Sequence, residues 1–457
     1  MTELAAVVAA VDEEVRPDAA ERARLASAVD ALRERIERAV AERDIPPVVA
    51  DAVDVLQVGS TARGTWLSGD RDIDLFVRFP TDLDRAELER YGLVIGRAVF
   101  PDGHEEYAEH PYVTGTYDGF DVDLVPCYDV DSAAEIRSAV DRTPFHNAYL
   151  AERIDVDLAR DVRVFKRFLK SVGAYGSNLR TRGFSGYLTE LLVLVHDGVV
   201  PLLEAATDWQ PPVRFDPEAH GTREHDDPLV VVDPTDPARN VAAVCSAANV
   251  ARLQHHARDL VADPRADRFH ESTLDPLSEA AVADHVARRG TTPVAIRFDA
   301  PDLVDDQLYP QLEKSLGGVV TELDRRGFRV LRSETFADGH AVLLVELATP
   351  TLPAVERHAG PPVHVREHAE AFFATYVDDD DVYGPFIEDD RYVVERPRQW
   401  TDARALLASD ALFDVALGTG VESTLREEGY QVLVGEELAS LADSFGVELA
   451  RYFRPVP

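Results

Sequence analysis

The stretch VGSTARGTWLSGDRDIDLFVRFP, Val58 to Pro80, decides how the amino-terminal part of this chain folds and what it can do. DVLQVGS, just overlapping its start, reads as a strand ending in a turn, TARGTWLS as a short helix, and DIDLFVRF as a second strand closed by Pro80. Residues i and i+2 of a strand share a face, so Asp72 and Asp74 present two carboxylates side by side. Such a pair repels itself and resists burial unless a cation sits with it. Mg2+ takes one or two carboxylates together with substrate phosphates. Upstream, Gly59-Ser60 stands where a helix would begin, with N–H groups and a hydroxyl suited to phosphate oxygens. Arg63, about a turn later, can fork onto the same phosphates. An Asp-x-Asp alone carries little weight in so acidic a chain; joined to Gly-Ser-x-x-Arg, it reads as a metal site presented to a nucleoside triphosphate.

A site of this kind needs a third carboxylate on a neighbouring strand, because two cations clamp the entering and leaving oxygens of an in-line displacement. FDVDLVP supplies Asp121 and Asp123, again on one face, and spacing does not choose between them. Either could equally be an edge charge that discourages aggregation.

The rest of the composition sets bounds. At 457 residues the chain is too long for one ordinary core, and about three to four domains are expected. No segment reaches the roughly 18 apolar residues of a membrane span, so no membrane association is expected. MTELAAVVAAVDEEVRP lacks the basic region of a signal peptide. Cys127 and Cys245 cannot make a disulfide framework or a zinc site alone, and a cytoplasmic location is expected. Eighty-four acidic residues against 47 basic ones give a net charge of −37, and only Lys166, Lys170 and Lys314 are lysines. The acid is interleaved with apolar periodicity rather than stacked in a disordered tail. That is the surface of a halophilic protein, whose self-repulsion is screened where the Debye length falls to about 3 Å at 1 M salt. The same screening removes the argument that so negative a chain must avoid nucleic acid.

Along the chain, ERARLASAVDALRERIERAVAER (Glu21–Arg43) has the spacing of one long amphipathic helix. RAELERYGLVIGRAVF is helical again, and YVTGTYDGFDVDLVPCY is a hairpin turning at Asp118-Gly119. These make a small α/β domain. DVRVFKRFLKSVGAYG and GFSGYLTELLVLVHDGVVPLLEAAT carry helical spacing, and PLVVVDPTDPARNVAAVCSAANVARLQHHARDLV gives a short strand, a turn and a long helix. From TPVAIRFDAP onward the pattern is α+β, with a strand pair in FRVLRSETFADGHAVLLVELATP and another in YGPFIEDDRYVVERPR before closing helices. The four-aspartate run Asp378 to Asp381 reads as a solvated turn.

GSTARGTWLSGDRDIDLF, YAEHPYV, DVDLVPCY, SAVDRTPFHNAYL and RGFSGYLTELL, in this order, resemble the archaeal (class I) CCA-adding tRNA nucleotidyltransferases of the polymerase β-like superfamily. The resemblance runs over nearly the whole chain. It implies a multidomain protein of mixed α/β and α+β class: a nucleotidyltransferase head (1–144), a helical neck (145–265), an α+β body (266–365), and a tail with a closing body segment (366–457). It implies CTP and ATP as substrates, Mg2+ as cofactor, and tRNA as primer without a template. It makes Asp123 the third metal carboxylate beside Asp72 and Asp74; some relatives have glutamate at the first position. It puts Ser60 and Arg63 on the nucleotide phosphates and His146, Lys166 and Tyr175 on the neck surface that meets the nucleotide. Arg239 resembles the residue that helps read the base, and an arginine can offer paired donors to a Watson–Crick edge. Its plainer reading is a helix-start arginine holding Asp236 or Asp233. Lys166 also stands out by itself, since two of three lysines lie at i and i+4 on one helix beside Arg163 and Arg167. Recognition of the acceptor stem and TΨC arm would use A-form shape and phosphates, through the arginines. Oligomeric state is left open, a homodimer being one option. A poly(A) polymerase or antibiotic nucleotidyltransferase would share the three aspartates, and a non-catalytic tRNA binder would not need them.

Overall fold

A computed structural model of the protein describes residues 2–107, 109–271 and 273–457; Ala108, within the YAEHPYV block, falls outside the described residues. The chain forms two compact units, Met1–Ser272 and Thr273–Pro457.

The first unit begins with α1 (Glu3–Val15) and α2 (Ala19–Glu42), the long helix expected from the periodicity. Asp18 and Glu21 form a reciprocal capping box at its start, with bonds of 2.8 and 2.9 Å. A short α3 (Pro47–Ala50) leads to β1 (Asp54–Val58), α4 (Gly59–Arg63), β2 (Asp72–Phe79) and α5 (Arg85–Val99). Then come β3 (His104–Tyr107), β4 (Pro111–Tyr117) and β5 (Phe120–Tyr128), the last two joined by the Asp118-Gly119 turn. The sheet order is β1-β2-β5-β4-β3, with β2 and β5 parallel and the other pairs antiparallel. Ile73, Leu75, Val77 and Phe79 of β2 and Val122 and Leu124 of β5 pack against Leu32 and Ile36 of α2 and Leu88, Tyr91 and Ile95 of α5. The two-residue period then puts Asp72, Asp74, Asp121 and Asp123 on the opposite face.

The second core of this unit is helical: α6 (Thr143–Ala151), α7 (Val156–Ser171), α8 (Gly186–Val195), α9 (Val199–Ala206) and, after the strands β6 (Val213–Phe215), β7 (Leu229–Asp233) and β8 (Asp236–Asn240), α10 (Ala247–Ala262). Leu4, Val8, Val11 and Val15 of α1 also pack here, with Phe165, Phe168 and Leu169 of α7 and Leu191 and Leu192 of α8. GYLTELLVLVHDGVVPLLEAA, continuous in its periodicity, is two helices bent by 92°. The break lies at Asp197 (φ 55°) and Gly198 (φ 131°), where the Asp161 carboxylate accepts the Val199 N–H at 3.0 Å. No single helix among the described residues is long and apolar enough to cross a membrane. One difference from expectation bears on the site. DPARN is the strand β8, hairpinned on β7, so Arg239 is not at a helix start.

The second unit contains α11 (Glu279–Arg289), β9 (Thr292–Asp299), α12 (Asp305–Arg326), β10 (Val330–Ala337), β11 (His340–Leu347), β12 (Val355–Pro362), α13 (Arg366–Tyr376), β13 (Tyr383–Glu388), β14 (Arg391–Pro397), α14 (Ala403–Leu407), α15 (Thr419–Glu427), β15 (Gln431–Val434) and α16 (Ala442–Phe453). Its sheets are β10-β11-β9-β15 and β12-β14-β13. The closing region is therefore not purely helical: QVLV pairs antiparallel with β9. Four residues are too short to carry a periodic signal, and a partner more than a hundred positions away leaves no local trace.

Candidate active site

β2 and β5 run parallel in a register that sets Asp72 beside Asp121 and Asp74 beside Asp123. Four carboxylates thus share one sheet face. Asp121 is exposed, whereas Asp123 is half-buried and accepts a hydrogen bond from Thr114, its neighbour on β4. Val58 pairs with Asp74 from the other side, so the chain leaves β1 and enters α4 directly over the Asp74 carboxylate. Gly59 makes that turn at φ 78°, where a Cβ would stand 2.2 Å from Asp74 Oδ2. Only glycine fits.

The carboxylates resist sharing this face. Burial, and then the charges of Asp123 and Asp72, push Asp74 up to about 6, although Arg63 opposes them. Burial and Asp70 raise Asp72, with Asp121 adding to the effect and Lys166 and Lys170 opposing it. Burial also raises Asp123; its Thr114 bond opposes this, and the charges of Asp72, Glu106 and Asp121 add to it. Among the described residues none of Asp72, Asp74 and Asp123 is in an ion pair. An oxygen-only donor set with unrelieved negative charge fits a hard divalent cation, which the fold implies for this position.

Basic and polar groups stand around this face, and each of the basic ones is held by an acid. Ser60 is in the first turn of α4, its carbonyl accepting the Thr65 N–H at 3.0 Å. Arg63 is not free to reach solvent. Its Nε and Nη2 donate to both oxygens of Glu190 on α8, at 3.3 and 2.6 Å, and Nη1 donates to Asn147 on α6. Arg63 and Glu190 side chains are only 9% and 3% exposed. Lys166 and Lys170 of α7 both donate to Asp70, at 2.6 and 3.1 Å. The Tyr175 ring lies 5.4 and 5.6 Å from their ammonium nitrogens. Burial drives the Tyr175 hydroxyl far above its usual range, so it remains a donor.

A third group converges on Asp233 at the end of β7. His146 Nε2 lies 2.8 Å from Asp233 Oδ2, and Arg239 Nη1 donates to the same oxygen at 2.7 Å. Thr235 donates to the other oxygen through its N–H and hydroxyl, at 2.9 and 2.8 Å. Burial would raise the fully buried Asp233 carboxyl, but the His146 and Thr235 bonds outweigh it and hold it well below the usual carboxylate range. Burial lowers His146, with Asp233 opposing, and the imidazole stacks on Tyr187 at 3.9 Å and 15°. The candidate base reader Arg239 therefore pairs with Asp233, while Asp236 goes to Arg142 at 3.1 Å.

All nine sequence-predicted residues lie in the first unit, in these three groups, and Arg63–Asn147, next to His146, links the second to the third. Sequence reasoning missed two of the acids that position the cations, Asp70 and Glu190; the third, Asp233, it offered together with Asp236 as the partner of Arg239. Glu190 had a signal, since it is the only charged residue in the apolar helix GYLTELLVLV. Asp233 likewise ends the apolar strand LVVVD.

Comparison with known proteins places these observations. Residues 34–146 match the nucleotidyltransferase domain family, 160–270 the tRNA nucleotidyltransferase second domain, and 289–435 the CCA-adding enzyme C-terminal domain. The first match covers β1 to β5, which makes this sheet a nucleotidyltransferase domain. The chain is 58% identical to the CCA-adding enzyme of Haloarcula marismortui, over 100% of this chain and 99% of that protein. It is 58% identical to that of Halobacterium salinarum over 100% of both chains, and 40% identical to that of Methanosarcina barkeri over 95% of both. With this identity sustained end to end, the chain belongs to the family of archaeal CCA-adding enzymes.

Proposed function

We propose that this protein adds C, C and A in turn to the 3′ end of tRNA, using CTP and ATP, without a template and with release of diphosphate. The observation that carries the reading is the face formed by Asp72, Asp74 and Asp123, in no ion pair among the described residues and flanked by Lys166, Lys170 and Arg63. Asp72, Asp74 and Asp123 would hold Mg2+, two ions sharing the site. Bound there, Mg2+ neutralises triphosphate charge and eases deprotonation of the attacking hydroxyl.

The protein's own groups do the rest. Ser60 and Lys166 hold the triphosphate, with Tyr175 behind the lysine and Arg63, fork-bonded to Glu190, fixing the turn beneath it, so that the α-phosphorus faces the tRNA 3′-hydroxyl in line. The 3′-oxygen forms a bond to that phosphorus, the bond to the diphosphate oxygen breaks, and the hydroxyl proton leaves to solvent. His146 and Arg239, both fixed by Asp233, stand on the nucleotide side of the neck; Arg239 offers donors to the base edge. The head (1–144) and neck (145–265) would thus form the catalytic part of a cytoplasmic enzyme. The body (266–365) and tail (366–457) would grip the acceptor stem and TΨC arm through shape and phosphates.

The test is to incubate the protein with tRNA ending at the discriminator base, CTP, ATP and Mg2+ in molar KCl, and to sequence the 3′ ends. Ends that read CCA and stop support the proposal. Homopolymer tails would make it a different nucleotidyltransferase. No extension by folded protein would leave tRNA binding alone.

A further inference from the structure

Asp70 lies in the loop between α4 and β2 and has no part in the reading above. Its Oδ2 accepts from Lys166 at 2.6 Å and from the Leu67 N–H at 3.2 Å, and its Oδ1 accepts from Lys170 at 3.1 Å. The carboxylate is 16% exposed and Lys166 9%, while Lys170, at 31%, opens toward solvent. Tyr175 covers both ammonium groups. These are two of three lysines in a chain with 44 arginines. The choice of lysine matters. An ammonium is a compact point charge that exchanges one oxygen partner for another, whereas a guanidinium would lock onto the carboxylate through a fork.

Two ammonium groups a helical turn apart repel each other. Without Asp70 they would make a doubly charged anion site beside Asp72, and a surface as acidic as this one implies a solvent crowded with monovalent ions. Asp70 leaves the cluster with one net positive charge. A monovalent anion would then have to displace, with its single charge, a carboxylate that bonds both ammonium groups and is tied to the Leu67 N–H. A polyphosphate chain brings several charged oxygens at once and can take over both ammonium groups.

We propose that Asp70 is an internal counterion, a positioning residue that keeps Lys166 and Lys170 together and releases them to the polyphosphate tail of the nucleotide while excluding monovalent anions. This rests on the nucleotidyl-transfer reading, and it adds Lys170 to the groups that touch the triphosphate.

The experiment measures binding of inorganic tripolyphosphate with Mg2+ to the full chain by calorimetry, at about 0.5 M and about 3 M KCl, and with gluconate in place of chloride. Asp70→Asn adds one positive charge to the cluster. It should bind about fivefold tighter than wild type at the lower salt and lose that advantage in concentrated chloride but less so in gluconate. Lys170→Gln should weaken binding at both salts. The double variant Asp70→Asn/Lys170→Gln, with the wild-type charge, should regain the wild-type salt dependence, and Asp70→Glu should restore wild-type behaviour. In CTP and ATP addition the Asp70→Asn effect should fall on KM, with kcat changed less than about twofold. Wild-type affinity and salt dependence in Asp70→Asn, or weaker binding at both salts, overturns the assignment. Should Asp70→Asn fail to fold, the double variant and Asp70→Glu decide: a salt dependence unlike wild type in either overturns it as well. A wild type that binds tripolyphosphate with this salt pattern but extends no tRNA would overturn the proposed function and leave the counterion standing.

Discussion

Gly59 has no side chain because Asp74 occupies the place where one would go: a Cβ at Gly59 would stand 2.2 Å from Asp74 Oδ2. The turn out of β1 and the central carboxylate of the site are therefore one construction. Gly59→Ala adds backbone strain of about 1–2 kcal/mol at φ 78° and pushes the carboxylate aside. A displacement near 1 Å at a reacting centre costs about 100-fold in rate, and that is the loss expected in kcat for nucleotide addition. Binding of tRNA, measured by filter retention, should not change. A variant with wild-type kcat would remove Asp74 from the reaction.

The raised Asp74 carboxyl makes stability depend on pH in a stated direction. Its folded value of about 6 lies above the ordinary 3.8, so between those limits the folded protein holds more protons than the unfolded one. In EDTA the protein should lose stability as pH rises from about 4 to about 6, by roughly 2–3 kcal/mol from this group. Asp74→Asn should flatten that part of the profile and raise the Tm in EDTA above that of wild type. Addition of Mg2+ should restore wild-type stability at pH 7 and leave the variant unmoved. A flat wild-type profile in EDTA would mean that the carboxylates do not repel as their register implies.

Asp233 is the reverse case, a carboxyl held low by its partners. Its stabilising contribution is complete above the ordinary carboxylate range and is lost only as pH falls through its depressed folded value. Asp233→Asn leaves His146 and Arg239 without their shared anion, and breaking a buried charged cluster costs about 3–5 kcal/mol. The variant should melt several degrees lower at pH 7, and the difference from wild type should narrow in acid. Because Arg239 loses its anchor, CTP and ATP should be used less selectively, which sequencing of the added ends would show. Selectivity retained in a folded variant would separate Arg239 from base choice.

The head was legible because its signals are local. Alternation in DIDLFVRF set both the strand and the shared face of Asp72 and Asp74, and Asp118-Gly119 marked its hairpin. What spacing could not do was choose between Asp121 and Asp123, because that depends on the parallel register of β2 with β5 and on the Thr114 bond, both long-range facts. The site's cations were visible for a similar reason: lysine is scarce, so Lys166 and Lys170 stood out. Asp70, the acid that holds both lysines, was not visible, because in a chain with 84 acidic residues no single aspartate is conspicuous. Asp70 becomes meaningful only when the fold closes α7 onto the loop before β2, and the choice of Asp233 over Asp236 as the partner of Arg239 is made only when β8 folds back onto β7. β8 and β15 were missed because each is only four or five residues long and takes its strand character from a partner.

The acid excess itself carries the last prediction. At a net charge of −37 the folded state gathers repulsion that the expanded chain relieves, and screening is what keeps the balance. Lowering KCl from about 3 M to about 0.1 M lengthens the Debye length to about 10 Å, beyond the spacing of neighbouring surface charges. The protein should then lose its far-UV circular dichroism signal at room temperature and recover it when KCl is returned. Recovery should level off near about 1 M, where the screening distance is already about 3 Å. Sucrose strengthens burial by exclusion from the surface but does not screen charge, so it should restore little. If sucrose at low salt rescued the fold as well as KCl does, a weak core rather than charge repulsion would be the cause. The acidic surface would then be a matter of solubility alone.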